Sequence, residues 1–237
     1  EIHERLVGSE MCIRDSIKGD RMKNFEYILF DLDGTITDSA KGITDSVKYA
    51  LKKTGEKIPP YETLCRFIGP PLKTGFCEFC GMSDEAADRA VEYYREYYHV
   101  KGVLDCEVYP GILKLLERLQ GAGKKAVLAT SKPEKFAKII LEHFGLSKYF
   151  YFIGGASFDD TRSEKYQVIE YVINACGIKD KTAAVMVGDR FHDIEGARIN
   201  GIVSVGVLYG FGSRHELENA GADAIAESVS ALESILI

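Results

Sequence analysis

From Tyr27 to the C-terminus, short apolar runs alternate with amphipathic stretches. Six of the runs, YILFDLD, KKAVLATS, YFYFIGGAS, TAAVMVGD, GIVSVGV and ADAIA, are short, rich in β-branched or aromatic residues, and bounded by Gly, Asp or Ser. Those are the marks of strands. Between the later runs lie GILKLLERLQ, PEKFAKIILEHF, SEKYQVIEYVINAC, DIEGARIN and SRHELENAG, which read as helices with one apolar face. Pro133 stands where a first helical residue is expected, and Ser213 with Glu216 forms a capping box. Strand–helix alternation predicts an α/β fold, a Rossmann-like parallel sheet with helices on both faces.

The rhythm breaks between about Ser39 and Glu107, where only helical runs such as ITDSVKYALKKTG and SDEAADRAVEYYREYY occur. The pattern predicts a helical domain over residues 39–106, inserted into a core made of residues 22–38 and 107–237. Tyr93, Tyr94, Tyr97 and Tyr98 repeat at helical spacing and read as packing surface. The leading EIHERLVGSEMCIRDSIKGDR has neither period and resembles translated vector or non-coding sequence. Residues 1–21 are therefore expected to be a non-native extension, with Met22 as the natural start.

Composition narrows the function classes. The 237 residues are 46% hydrophobic and 28% charged, which suits one large domain or a domain with an insertion. A net charge of −6 argues against nucleic acid or an anionic membrane as the main partner. It leaves open a small anionic substrate, which one cation and a few amides can hold locally. No run reaches transmembrane length and no signal peptide is evident, so the expected location is cytoplasmic. The six cysteines lack disulfide spacing, which fits a reducing compartment. Cys77 and Cys80 form a lone CEFC without a second ligand pair and read as ordinary packing. Oligomeric state is open between monomer and homodimer.

The polar oddities fall at strand ends, where open parallel sheets bind their ligands. Asp31 and Asp33 end the first strand, Thr130 and Ser131 end the second, and Asp189 ends TAAVMVGD with Asp193 four residues on. Four carboxylates gathered at one sheet edge repel one another unless a cation joins them. Mg²⁺, which favours carboxylates, water and phosphate oxygens, suits the set better than Zn²⁺. Thr130, Ser131 and Lys132 precede a helix start, where free amides favour an anion. Lys165 lies in the first turn of the next helix, where a cation opposes the helix dipole unless it faces a phosphate. Either feature alone could be ordinary surface chemistry.

Together these residues resemble the haloacid dehalogenase superfamily from Phe25 to the C-terminus. DLDGT matches a DxDxT motif, the strand ending in Thr130 a second motif, Lys165 a third, and GDRFHD a GDxxxD motif, all in the family's order. The inserted helices are similar to its alpha-helical cap. DGTITDS, IGPPL, ATSKP and VYPG point to the phosphoglycolate-phosphatase-like branch. The resemblance implies Asp31 as nucleophile, Asp33 as general acid and base, and Thr130, Ser131 and Lys165 around the phosphoryl group. It implies Mg²⁺ held by Asp31, the Asp33 carbonyl and Asp189, with Asp193 as a further or supporting ligand. Arg66, Gly69, Pro70 and Lys73, around the IGPPL turn, are expected to meet the rest of a small phosphorylated substrate. Asp38 with Ser39 reads as a helix cap, His192 as a packed group, and Arg190 as a brace for the aspartate loop. The implied activity is a Mg²⁺-dependent phosphatase. A phosphosugar mutase and a non-catalytic binding protein on the same fold are its rivals.

Overall fold

A computed structural model describes residues 25–158 and 161–237, so the expectations for residues 1–21 and Met22 lie outside it. Strand β1 (Tyr27–Phe30) leads through a tight loop to β2 (Thr37–Asp38). Four helices follow: α1 (Ala40–Thr54), α2 (Tyr61–Cys65), α3 (Leu72–Cys80) and α4 (Asp84–Val100). The chain returns through β3 (Glu107–Val108) and then alternates α5 (Ile112–Gly121), β4 (Lys125–Pro133), α6 (Glu134–His143), β5 (Phe150–Ala156), α7 (Lys165–Ala175) and β6 (Ala184–Gly188). It finishes with α8 (Phe191–Asn200), β7 (Val203–Val207), α9 (Arg214–Ala220), β8 (Ala224–Ala226) and α10 (Val229–Leu236).

All six expected strands form, in one parallel sheet of order β5-β4-β1-β6-β7-β8. β1 runs between β4 and β6, where the strand order reverses, and such a switch opens a crevice beyond the carboxyl ends of the strands. Side-chain alternation explains why β1 is apolar throughout. Ile28 and Phe30 join Leu128, Val185 and Val187 in one layer, and Leu29 joins Val127, Met186, Val168 and Ile169 in the other. With both faces covered, no position of the strand interior can be polar without a partner.

Four details depart from the expected pattern. β4 runs on to Pro133, and its register against β5 slips between Thr130 and Pro133. Ser131 and Lys132 therefore bulge, and Pro133 sits outside α6, with extended ψ of 128°. β2 and β3 pair antiparallel at the two ends of the helical segment, as a ribbon too short to show any period. At α1, Asp38 Oδ1 accepts the Ala40 amide at 3.0 Å, whereas Ser39 makes no side-chain cap. At α9, Ser213 Oγ accepts the Glu216 amide at 3.1 Å, but the Glu216 carboxylate does not close the box. It turns to Arg190 instead.

Tyr94 and Tyr98 are buried and stacked with centroids 5.3 Å apart, as packing residues should be. Cys77 and Cys80 are half-buried free thiols.

Candidate active site at the carboxyl edge of the sheet

The loop after β1 is shaped by its apolar residues. Leu32 and Ile36 are fully buried, and the Leu32 carbonyl accepts the Ile36 and Thr37 amides, each at 2.9 Å. With Leu32 anchored, Asp31 and Asp33 on either side both line a cavity of about 620 Å³. Gly34 turns the chain with φ of 85°, and a Cβ there would fall on the Asp189 carboxylate. Only glycine combines that φ with so close an approach.

Asp31, Asp189 and Asp193 are buried and offer oxygens within 4.8 Å of one another. Lys165, the first residue of α7, places its ammonium 2.7 Å from Asp31 Oδ1, 2.8 Å from Asp193 Oδ1 and 3.1 Å from the Ala129 carbonyl. Burial works against the Lys165 charge, but Asp193 and Asp31 outweigh it and hold the ammonium above its usual range. Asp193 Oδ2 also accepts the Arg190 amide at 3.0 Å. Burial pushes Asp193 up to about 6, against the pull of Lys165. Asp189 Oδ2 accepts the Phe211 amide at 2.8 Å, whereas its buried Oδ1 has no hydrogen-bond partner. Burial, and then the charges of Asp193 and Asp31, push the Asp189 carboxyl well above the usual carboxylate range.

Three buried carboxylates thus lie together with one buried ammonium, which pairs with only two of them. Such an excess of negative charge is unstable by itself. Hard oxygen donors within 4.8 Å of one another, beside a buried Asp189 oxygen that lacks a hydrogen-bond partner, suit a divalent cation of the Mg²⁺ type. The residues present fit that ion. The Asp33 side chain stays apart from the cluster, with Oδ1 2.9 Å from the Lys132 ammonium.

Thr130 and Ser131 lie on the cavity wall, as the sequence suggests, and Thr130 Oγ1 accepts the Lys132 amide at 3.2 Å. The register slip turns Lys132 inward, where its ammonium meets Asp33 and the Tyr98 hydroxyl. The sequence placed Lys132 at an anion-favouring helix start but gave no sign of its pairing with Asp33, and Tyr98 read only as packing, since a tyrosine in a helical stripe is common. Gly210 and Gly212 escaped notice as well. They pack directly on Asp189 and let the Phe211 amide reach it.

Arg190 does brace the loop. Its Nε donates to Glu216 Oε1 at 2.8 Å, and its Nη1 donates to the Ile68 carbonyl of the helical segment at 2.8 Å. His192 packs against Phe191 with ring centroids 3.7 Å apart, and burial together with Arg190 pushes it down to about 4. Gly69, Pro70 and Lys73 line the cavity opposite the sheet. Arg66 does not. It follows α2 with its side chain directed over the Phe79 ring, 4.1 Å from the centroid, so the expected substrate contact is corrected to a packing role. Lys73 is partly neutralised by Asp88 at 2.9 Å and Asp84 at 3.6 Å.

The haloacid dehalogenase-like hydrolase family matches residues 28–207. The chain belongs to that family. A 5'-nucleotidase of Pseudomonas aeruginosa is 40% identical over 217 residues, covering 92% of this chain and 98% of the relative. The tyrosine-protein kinase PtkA of Mycobacterium tuberculosis is 35% identical over 205 residues, covering 86% and 69%. A solved structure described as a predicted phosphatase from Clostridium acetobutylicum is 49% identical, with TM-score 0.85 and coverage of 88% and 96%. The chain is a hydrolase of phosphoric esters with the parallel α/β fold of these relatives.

Proposed function

We propose that this hydrolase cleaves a small phosphomonoester through an aspartyl-phosphate on Asp31, with the helical segment acting as a cap. The observation that carries this reading is Asp31, paired with the buried Lys165, on the wall of a cavity that Thr130 and Ser131 also line. In the first half-reaction an Asp31 oxygen attacks phosphorus, the bond to the leaving oxygen breaks, and Asp33 gives that oxygen its proton. In the second half, Asp33 takes a proton from water, the water oxygen attacks phosphorus, and the bond to Asp31 breaks to release phosphate. Lys165 offsets charge on Asp31 and on the phosphoryl oxygens, which Thr130 and Ser131 orient. Asp31, the Asp33 carbonyl and Asp189 would hold Mg²⁺, whose charge stabilises the transferring group, with Asp193 in support.

The cavity favours a nucleoside 5'-monophosphate over phosphoglycolate. About 620 Å³ is ample for a base and sugar, and Phe67, Tyr98, Phe136 and Phe158 line it. The 5'-nucleotidase likeness supports the same choice. The free cysteines among the described residues suit the cytoplasm.

The test is phosphate release from nucleoside 5'-monophosphates, phosphoglycolate, sugar phosphates and pyrophosphate, with Mg²⁺ or with chelator. Asp31→Asn should lower release at least about 10³-fold while keeping the wild-type circular dichroism spectrum. Faster interconversion of sugar 1- and 6-phosphates than release would establish the mutase instead. Transfer of label from ATP to tyrosine without ester hydrolysis would align the chain with its kinase-named relative.

A further inference from the structure

The contacts of Lys132 have no counterpart in the mechanism above. Three parts of the chain meet at its ammonium: the bulge after β4, the loop after β1 through Asp33, and α4 through Tyr98. Lys132 and Tyr98 are buried, at 7% and 4% exposed, and the Asp33 side chain is 11% exposed. The ammonium lies 2.9 Å from Asp33 Oδ1, touches the Tyr98 hydroxyl, and sits 4.9 Å from the Tyr98 ring centroid. Asp33 Oδ1 is buried and makes no hydrogen bond beyond this ion pair. Lys165 serves Asp31 and Asp193, so each of the two aspartates of the DLD loop has its own lysine.

The two ends of this contact differ in stiffness. Tyr98 is fixed by stacking on Tyr94 at 5.3 Å and by an edge contact with Phe136 at 5.4 Å. Lys132 has a flexible four-carbon stem, and its ammonium settles only where several partners converge. A proton donor must lie within hydrogen-bond reach of the leaving oxygen, and a carboxylate on a loop otherwise samples several rotamers. We propose that Lys132 is a positioning residue that aims the Asp33 carboxylate at the leaving-group oxygen, and does so only while α4 seats the Tyr98 hydroxyl against it. The assignment rests on the reading of Asp33 as proton donor. Seating of the helical segment and delivery of the proton become one event, which keeps Asp33 unaimed while the cavity is open to water.

The experiment compares two esters in saturating Mg²⁺: the alkyl phosphate turned over fastest in the release screen, and p-nitrophenyl phosphate. The alkyl ester's leaving oxygen needs a proton and that of the aryl ester does not. Asp33→Asn is the reference and should lower kcat/KM, which reports the first half-reaction and not the later attack of water, about 10²-fold more for the alkyl ester than for the aryl ester. Lys132→Met should reproduce at least about 10-fold of that difference in kcat/KM, and add nothing to it in the Asp33→Asn background. Tyr98→Phe, which keeps the ring packing, should show about 3-fold of the same preference. Equal losses on both esters for Lys132→Met, or losses that multiply with those of Asp33→Asn, would overturn the assignment, because Lys132 would then act on phosphate or on the fold. Should Lys132→Met not fold, Tyr98→Phe decides, and an absence of ester preference overturns the assignment. Absence of preference in Asp33→Asn itself would instead remove the proton-donor reading, and this proposal with it.

Discussion

Replacing Asp189 with asparagine should stabilise the metal-free protein and remove its response to Mg²⁺. Asp189 is fully buried, with one oxygen on the Phe211 amide and the other without a hydrogen-bond partner. Oxygens of Asp31 and Asp193 lie within 4.8 Å. Two unit charges at 4.8 Å repel by about 3.5 kcal/mol at an effective dielectric constant of about 20. Burial adds to this penalty, and the Phe211 amide and the Arg190 charge offset part of it. Asparagine has the same shape, keeps a carbonyl for Phe211, and can turn its NH₂ toward the neighbouring carboxylates. A net gain of about 2–3 kcal/mol would raise Tm by about 5–10 °C in a domain of this size. Saturating Mg²⁺ at about 100 times Kd should stabilise wild type by about 2.7 kcal/mol, and the variant far less. Thermal melts in EDTA and in excess Mg²⁺ measure both effects. An Asp189→Asn protein less stable than wild type in EDTA, or one with an equal Mg²⁺ response, would refute the argument that repulsion in this cluster calls for a cation.

Lys165→Met should destabilise the protein by about 3–5 kcal/mol, because Asp31 and Asp193 lose the buried ammonium between them; urea melts at low Mg²⁺ check this. Arg190→Met should free the turn that it ties to the core through the Ile68 carbonyl. A hydrogen bond from a charged donor contributes about 1.5–3 kcal/mol, so amide exchange over residues 67–72 should quicken about 10- to 100-fold. Unchanged exchange there would show that other contacts hold the turn.

The kind and order of the elements could be read from the chain because each reflects local periodicity. β1, β4 and β6 are covered on both faces and must be apolar almost without interruption, whereas helices such as α5 expose one side and show the longer period. The ends of strands were less exact, since Thr130, Ser131 and Lys132 suit a strand end and a bulge equally well. The aspartates stood out because charges that end an apolar run have few structural reasons to be there.

Tertiary structure alone decided how those charges are partnered. Asp189 meets an amide 22 residues on, Tyr98 meets Lys132 across 34 residues, and Arg190 reaches back 122 residues to Ile68. It also separated Lys73, on the cavity wall, from Arg66, which lies on Phe79. A sequence read by itself determines which side chains can carry charge and which faces must be buried, because solvent and backbone geometry act residue by residue. Which lysine faces which aspartate depends on loop path and rotamer, and these are settled only when distant segments exclude water together.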